Sequence, residues 1–356
     1  MEYTPIVSCV ISIYNEEKII EEKINSLLLQ NYPNEKIQIY IGSDCSSDKS
    51  DEIAHRISAL HSNIHHITFP KRRGKTAVIN DLVQIISKDR PGDPNHLLLC
   101  TDANVILDAN CMRNLVKHFS DPSIGLVDCN MTPLTEKSAD IANSERTYIK
   151  LETSIKYWEG EIWGNMMGAF GGCYALRSNL MPIIPDNLLV DDFYISMKVL
   201  EAGYQSKNSL DAIAFESLPG SLGEEFKRKM RISTGNFQNL NYFSHFLFSG
   251  PMSRILCFIF HKVIRWITPI LILISFLCTF ILFFQFSGTY KILLGMFVMT
   301  FFLLPIADRA LKYINVRIPI LRNISYFVVM NFALFRGFIQ YCKGVRSGVW
   351  QPTSRN

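Results

Sequence analysis

Apolar and polar positions follow two alternating patterns along the first 130 residues. Short apolar runs rich in β-branched residues predict strands at 6–14, 37–43, 65–69, 96–101 and 124–130. Segments with apolar residues every three or four positions predict helices at 18–29, 48–60, 75–87 and 110–119. Strands that alternate with helices in this way predict an α/β fold, with a mostly parallel sheet covered by helices on both faces.

The pattern changes after residue 130. A helical face over six turns is predicted at 140–163, and the glycine-rich stretch 164–177 is predicted as a tight loop that a ligand can approach closely. Residues 191–203 predict a helix with acidic residues in its first turn and Gly203 as its stop. A basic amphipathic helix is predicted over 223–240.

The last third of the chain contains three long apolar stretches. Trp266–Phe286 is a stretch of 21 residues without a charge, which as a helix is long enough to cross roughly 30 Å of hydrocarbon. Ile292–Ala307 is shorter and predicts a second span with adjustment at its ends. Ile324–Phe335 is shorter still, and its pattern fits an interfacial or re-entrant helix as well as a crossing.

Charge sets the predicted orientation. Lys262 and Arg265 precede the first span, Arg309 and Lys312 follow the second, and the loop between the spans carries only Lys291. By the positive-inside rule the large N-terminal part is cytoplasmic, and the protein is a multi-pass protein of the cell membrane. Pro5–Tyr14 has no basic region of a signal peptide and is better interpreted as a strand.

Cysteine content and net charge limit the cellular compartment and the partners of the protein. The nine cysteines show no metal-ligand spacing and no even framework, which indicates a reducing compartment. A net charge of +4 is too small to indicate nucleic acid as a partner, and the clustering of basic residues near the apolar tail favours anionic lipid headgroups.

Polar clusters follow each of the first four predicted strands. They are Tyr14–Glu17, Asp44–Asp48, Lys71–Thr76 and the pair Asp102 and Asn104. In an open parallel sheet the carboxyl ends of the strands form the ligand-binding edge, so the four clusters are expected to converge. Carboxylates mixed with lysines and arginines predict a site for an anionic ligand that carries a metal ion.

Two familiar phosphate motifs do not fit. The segment RRGKT resembles the end of a P-loop, but Phe69 stands where that motif needs glycine. The first strand ends in Tyr14–Asn15–Glu16 and lacks the glycines of a dinucleotide fingerprint. The chain is therefore neither a P-loop NTPase nor a typical NAD enzyme.

Seven motifs in order resemble the family 2 glycosyltransferases with a GT-A fold. They are VISIYNEE, GSDCSSDKS, RRGKTAVIN, CTDAN, GAFGGCYALR, DDFYISMKVLEAGY and RKMRISTG, followed by apolar helices. The chain is most similar to the membrane-bound polysaccharide branch that includes poly-N-acetylglucosamine, hyaluronan, chitin and cellulose synthases. The resemblance implies a nucleotide-diphospho-sugar transferase with a Rossmann-like, mostly parallel sheet, followed by C-terminal α-helical membrane segments.

The same resemblance divides the chain. A cytoplasmic GT-A catalytic domain covers 1–245, with a nucleotide-sugar half at 1–130 and an acceptor half at 131–245. An interfacial helix follows at 246–265. The membrane region, 266–356, holds two to three helices and a short tail.

Site residues are also implied by the resemblance. The nucleotide sugar would be bound by Tyr14, Glu16, Asp44, Lys75, Asp102, Arg228 and Arg231, and Mg²⁺ or Mn²⁺ by Asp102 and Asn104. The family usually has a second aspartate where this chain has Asn104, which predicts weaker or water-mediated metal contact. Asp191 and Asp192 match the acidic pair whose second member acts as the catalytic base.

The resemblance is incomplete in the motif that is typical of processive polymerisation. The processive synthases carry a Gln-x-x-Arg-Trp signature, whereas this chain reads RKMRI, which keeps Arg231 but lacks the glutamine and the tryptophan. Trp350 falls in a segment that lies near the active site in the polysaccharide branch.

The predicted function is inverting transfer of a sugar from a nucleotide sugar, a UDP-sugar by resemblance, to a glycan or lipid-linked acceptor in cell-envelope polysaccharide synthesis. Membrane lipids and an export subunit are the other predicted partners. Two alternatives remain open from sequence: a nucleotidyltransferase acting on nucleotide sugars, against which the acidic YNEE segment argues, and a non-catalytic membrane scaffold with the same fold.

Overall fold

The computed structural model describes residues 3–90, 93–134, 140–217, 222–285, 288–314, 316, 318–345 and 347–349, with backbone only for 140–148. The strands are β1 (Val7–Ile13), β2 (Ile37–Ser43), β3 (Ile64–Thr68), β4 (Leu97–Thr101), β5 (Val105–Leu107), β6 (Ile124–Leu134), β7 (Cys173–Arg177) and β8 (Gln205–Ser217). The helices of the first 245 residues are α1 (Ile20–Leu28), α2 (Ser50–Ser58), α3 (Lys75–Asp89), α4 (Cys111–Val116), α5 (Asp140–Trp163), α6 (Asp191–Glu201) and α7 (Leu222–Tyr242). Three helices follow: α8 (Met252–Gln285), α9 (Thr289–Tyr313) and α10 (Pro319–Cys342).

The eight strands form one mixed sheet in the order β3-β2-β1-β4-β7-β6-β8-β5. β1, β2, β3 and β4 are parallel, β7 is antiparallel to both β4 and β6, and β8 is parallel to β6. β5 is antiparallel to β8, so only β7 and β5 oppose the common direction. The predicted α/β fold with a mostly parallel sheet is therefore confirmed.

One local prediction was wrong. The glycine-rich stretch 164–177 is not loop throughout, because Cys173–Arg177 forms β7 in the middle of the sheet and all five residues are buried. The loop ends at Gly172. A strand buried on both faces lacks the alternation of apolar and polar residues, so the sequence pattern does not separate this strand from the glycine-rich loop before it.

Both faces of the sheet are covered. Cys9 and Ile11 of β1 pack into a core with α1 and α4, while Val10 between them packs into a second core with α3 and α6. This is the expected result of side chains that alternate along a strand, and it fixes the register of β1 against β2 and β4.

α8 and α9 are the two helices of the described chain that are long and apolar enough to cross a membrane. Residues 252–265 belong to the same helix as the span predicted from Trp266, so the predicted interfacial segment continues into that span. Ile324–Phe335 lies within α10. α10 packs on α7, where the rings of Phe237 and Phe338 are 4.8 Å apart and the Thr234 hydroxyl donates to the Gly337 carbonyl over 3.1 Å.

Candidate active site

Three charged side chains from separate elements meet at the ligand-binding edge of the sheet. Asp102 follows β4, Lys75 begins α3 and Asp191 begins α6. The Lys75 ammonium lies 2.8 Å from Asp102 Oδ1 and 3.3 Å from Asp191 Oδ2. Burial alone would lower the pKa of Lys75, but the two carboxylates outweigh it and raise the pKa, so the cation is retained.

Asp192 lies next to this cluster. Its Oδ1 accepts a hydrogen bond from the Phe193 backbone N–H over 2.7 Å. Burial and the neighbouring Asp191 charge raise the pKa of Asp192 to about 6, with Lys75 opposing the rise. A carboxylate with a pKa near neutrality suits a general base, because it is ionised at working pH and still takes up a proton readily.

The loop before β7 makes room for Asp192. Gly171 has a φ of +89°, and a Cβ added there would stand 2.2 Å from Asp192 Oδ2. Only glycine therefore fits at this position without moving the carboxylate. The loop backbone is held by two buried carboxylates, since Phe170 N–H donates to Asp128 Oδ1 over 3.0 Å and Met167 N–H to Glu159 Oε2 over 3.1 Å.

Asp102 and Asn104 share the short turn between β4 and β5. The Asn104 amide donates to Glu216 Oε1 over 3.3 Å, so the structure adds Glu216 of β8 to the site. The described residues contain no group of three or more histidine, cysteine or acidic side chains arranged to hold a metal ion. Mg²⁺ and Mn²⁺ that bind with a diphosphate are usually held by one or two carboxylates plus the phosphates, and the partly exposed Asp102 fits that requirement.

Tyr14, Glu16 and Asp44 lie in the interlocked turns after β1 and β2. The Arg72 guanidinium lies 3.7 Å over the Tyr14 ring, and Glu16 N–H donates to the Ser50 hydroxyl over 2.7 Å. The Asp44 carboxylate accepts from the N–H groups of Arg73 and Gly74 over 2.7 and 2.8 Å. Asp44 thus fixes the loop that delivers Lys75, and its predicted contact with a nucleoside stays a prediction.

A cavity of about 570 Å³ extends from Asp102 and Asp192 to α8 and α10. Arg228 and Arg231 of α7 line it together with Trp266 of α8. The Arg231 guanidinium donates to the Leu189 carbonyl over 3.1 Å, and Arg228 pairs with Glu225 over 3.0 Å. The structure thus brings both predicted arginines to the cavity that holds Asp102 and Asp192. Trp350 lies outside the described residues.

A buried ion cluster joins α8 to α5, and its members Glu152, Lys262 and Arg265 also line this cavity. Glu152 pairs with Lys262 over 2.7 Å and with Arg265, and His261 Nδ1 lies 2.8 Å from Glu159 Oε1. Burial would raise the pKa of Glu152, but Lys262, His261 and Arg265 hold it well below its usual range. Glu159 also accepts from the Met167 N–H of the glycine-rich loop, so one carboxylate contacts both α8 and the loop.

The sheet thus places a cluster of acidic and basic groups at the edge where open parallel sheets bind their ligands. The family description "Glycosyl transferase family 2" matches residues 8–179, and "Glycosyl transferase family group 2" matches residues 97–335. The chain belongs to this family of glycosyltransferases. The resemblance inferred from the motifs is confirmed, and membership of this family argues against the nucleotidyltransferase and scaffold alternatives.

Individual relatives share parts of the chain. Poly-beta-1,6-N-acetyl-D-glucosamine synthase of Staphylococcus aureus (strain COL) is 25% identical over 241 residues, which cover 66% of this chain and 55% of the relative. The protein of the same name from Staphylococcus epidermidis is 22% identical over 280 residues, covering 76% of this chain and 65% of the relative. The chain therefore spans between half and two thirds of the length of these relatives.

A solved structure confirms the fold. The mannosyltransferase PcManGT from Pyrobaculum calidifontis, in complex with GDP-Man and Mn²⁺, superposes with a TM-score of 0.69 at 16% identity. The match covers 96% of this chain and 88% of the other, so it includes the C-terminal helices as well as the sheet.

Proposed function

We propose that the protein transfers a sugar with inversion from a nucleoside diphosphate sugar to a hydroxyl group of a glycan or lipid-linked acceptor. The observation that carries the proposal is the cluster of Lys75, Asp102 and Asp191 beside Asp192, whose pKa of about 6 suits a base, in one cavity. Base and diphosphate-binding groups on opposite sides of one carbon are what an inverting displacement requires.

Each residue has a definite task in this proposal. Asp192 accepts the proton of the acceptor hydroxyl while that oxygen attacks the anomeric carbon and the bond to the diphosphate breaks. Asp102, with Asn104 beside it, would hold a divalent cation, which would supply positive charge against the departing diphosphate. Lys75 and Arg231 add fixed positive charge along the cavity, and Asp191 keeps Lys75 in place.

The relatives support a substrate class for this proposal. The staphylococcal proteins are named for a polymer of N-acetylglucosamine and the archaeal structure contains GDP-Man and Mn²⁺. We therefore extend the proposal to cell-envelope polysaccharide synthesis, with UDP-linked sugars as first candidates, GDP-linked sugars as second, and Mg²⁺ or Mn²⁺ as the metal ion.

The proposal places the enzyme in the cell membrane with a cytoplasmic catalytic part. It is supported by the length and apolar character of α8 and α9 and by the basic residues that flank their uncharged stretches, among them Lys262, Arg265 and Lys312. Membrane lipids are then permanent neighbours, and a separate export subunit remains a candidate partner.

The test is nucleotide release by the full-length protein in detergent over a panel of UDP- and GDP-sugars, with Mn²⁺, with Mg²⁺ and with EDTA. We expect one nucleoside diphosphate to be released, and EDTA to abolish the release. Nucleoside triphosphate formed when pyrophosphate is added would indicate a nucleotidyltransferase instead. Release of no nucleotide from any sugar, with or without a lipid extract as acceptor, would contradict the proposal.

Activity is expected to rise as the pH passes about 6. Asp192 must be ionised to accept a proton, and its raised pKa places that ionisation near pH 6. The measurement is kcat/KM between pH 5 and 8. Since the unfolded carboxyl has a pKa of about 4, this group alone lowers the free energy of unfolding as the pH rises from about 4 to about 6. A flat activity profile would show that Asp192 is not the base.

A further inference from the structure

Lys23 of α1 is completely buried, and the proposed mechanism gives it no task. Among the described residues no carboxylate forms an ion pair with its ammonium. Burial lowers the pKa of Lys23 to about 8, so its charge is present at neutral pH at the expense of fold stability. Burying such a cation stabilises the fold less than burying an apolar side chain of similar size would, which indicates that Lys23 has a role other than stability.

The hydrogen bonds of Lys23 indicate what this role is. Its ammonium donates to the Thr101 hydroxyl over 2.7 Å and to the Val105 carbonyl. Thr101 and Val105 flank the turn that carries Asp102 and Asn104, so one cation ties both ends of the turn. Val105 N–H also donates to the Asp102 carbonyl over 3.2 Å, and this backbone hydrogen bond closes the turn.

The same bonds extend to the loop beside Asp192. The Thr101 hydroxyl donates to the Gly172 carbonyl over 2.9 Å, and Asp102 N–H donates to the same carbonyl over 3.0 Å. Gly172 follows Gly171, whose missing side chain makes room for Asp192. Lys23 therefore supports the strand end from which both the Asp102 turn and the glycine-rich loop are held.

We propose that Lys23 is a positioning residue that fixes the Asp102 and Asn104 turn for a divalent cation bound with a nucleoside diphosphate. The inference rests on the proposed function, since it concerns the metal ion which that function requires. Groups that orient a metal ligand without touching the metal commonly change its affinity by roughly 10- to 100-fold when they are removed.

The test replaces Lys23 with methionine, which keeps the length of the side chain and removes its donors. The readout is the Mn²⁺ concentration that gives half-maximal binding of UDP or GDP to the full-length protein, beside wild type and Asp102→Asn. We expect Lys23→Met to raise this concentration at least tenfold while the protein still unfolds cooperatively. Thr101→Val, which removes the acceptor and keeps the shape, is expected to act in the same direction.

Arg177→Met is the matched control. Arg177 is a buried cation that donates to the carbonyls of Ile124, Phe119 and Asp121, and it pairs with Leu97 at the opposite end of β4 from Thr101. Its loss is expected to lower the Tm and leave the half-saturating Mn²⁺ concentration unchanged.

Two results would overturn the inference. One is a folded Lys23→Met protein whose half-saturating Mn²⁺ concentration lies within twofold of wild type or below it. If Lys23→Met does not fold, the other is a folded Thr101→Val protein with the wild-type value. Wild type that binds neither nucleotide at any Mn²⁺ concentration would instead overturn the proposed function, and the inference with it.

Discussion

Asp192→Asn is expected to lower turnover by roughly 10²- to 10⁴-fold, the range that a positioned base contributes. Asparagine keeps the size of the side chain and cannot take up the acceptor proton. Binding of the nucleotide with Mn²⁺ should remain close to wild type, because the diphosphate groups are separate from the base. The measurements are nucleotide release at saturating donor and equilibrium nucleotide binding.

Asp211→Asn serves as the control for that substitution. Asp211 is a surface carboxylate, 74% exposed at the side chain, which pairs with Lys117. The same chemical change there should leave turnover unchanged. If Asp192→Asn retained more than a tenth of wild-type turnover, the assignment of the base to Asp192 would be wrong.

Gly171→Ala is expected to lower turnover by about 10²-fold, because a displacement of about 1 Å in a reacting group has that effect. The new Cβ would stand 2.2 Å from Asp192 Oδ2, so the carboxylate must move. The measurements are turnover, nucleotide binding and Tm, and only turnover should change by a large factor.

Gly203→Ala is the control that measures the effect of backbone strain without a displaced carboxylate. Gly203 has a φ of +86°, close to that of Gly171, and a Cβ added there has no described atom within 4 Å. Both alanines therefore cost about 1 kcal/mol of stability from the left-handed conformation. Equal turnover in the two variants would mean that the place of Asp192 does not depend on Gly171.

The parts of the site that sequence predicts are those at strand ends and helix starts. Asp102 and Lys75 could be brought together without coordinates, because the carboxyl ends of parallel strands meet at one edge of a sheet, whereas Asp191 is indicated only by the resemblance of its motif to the family. Glu216 could not, since β8 shows no clean alternation and its pairing with β6 shifts register at Cys129 and Asn130.

The position of Lys23 cannot be predicted from sequence for a different reason. A single lysine in a helical pattern is normally solvated, and nothing near it in the sequence indicates burial. Its two hydrogen-bond partners lie 78 and 82 residues further along the chain. Contacts of that separation depend on how α1 packs on the sheet, which local pattern does not specify.

The ion cluster between α5 and α8 bears on how this enzyme can be handled. A shortened protein ending before Met252 would lack Lys262 and Arg265, the cations that pair with the buried Glu152, and the His261 ring that contacts the buried Glu159. Removing one partner of a buried pair typically costs about 3–5 kcal/mol, a large share of the stability of an ordinary domain. The long apolar helix α8 is thus an integral part of the fold around the site, and a fragment made by deleting it would need new residues at positions 152 and 159.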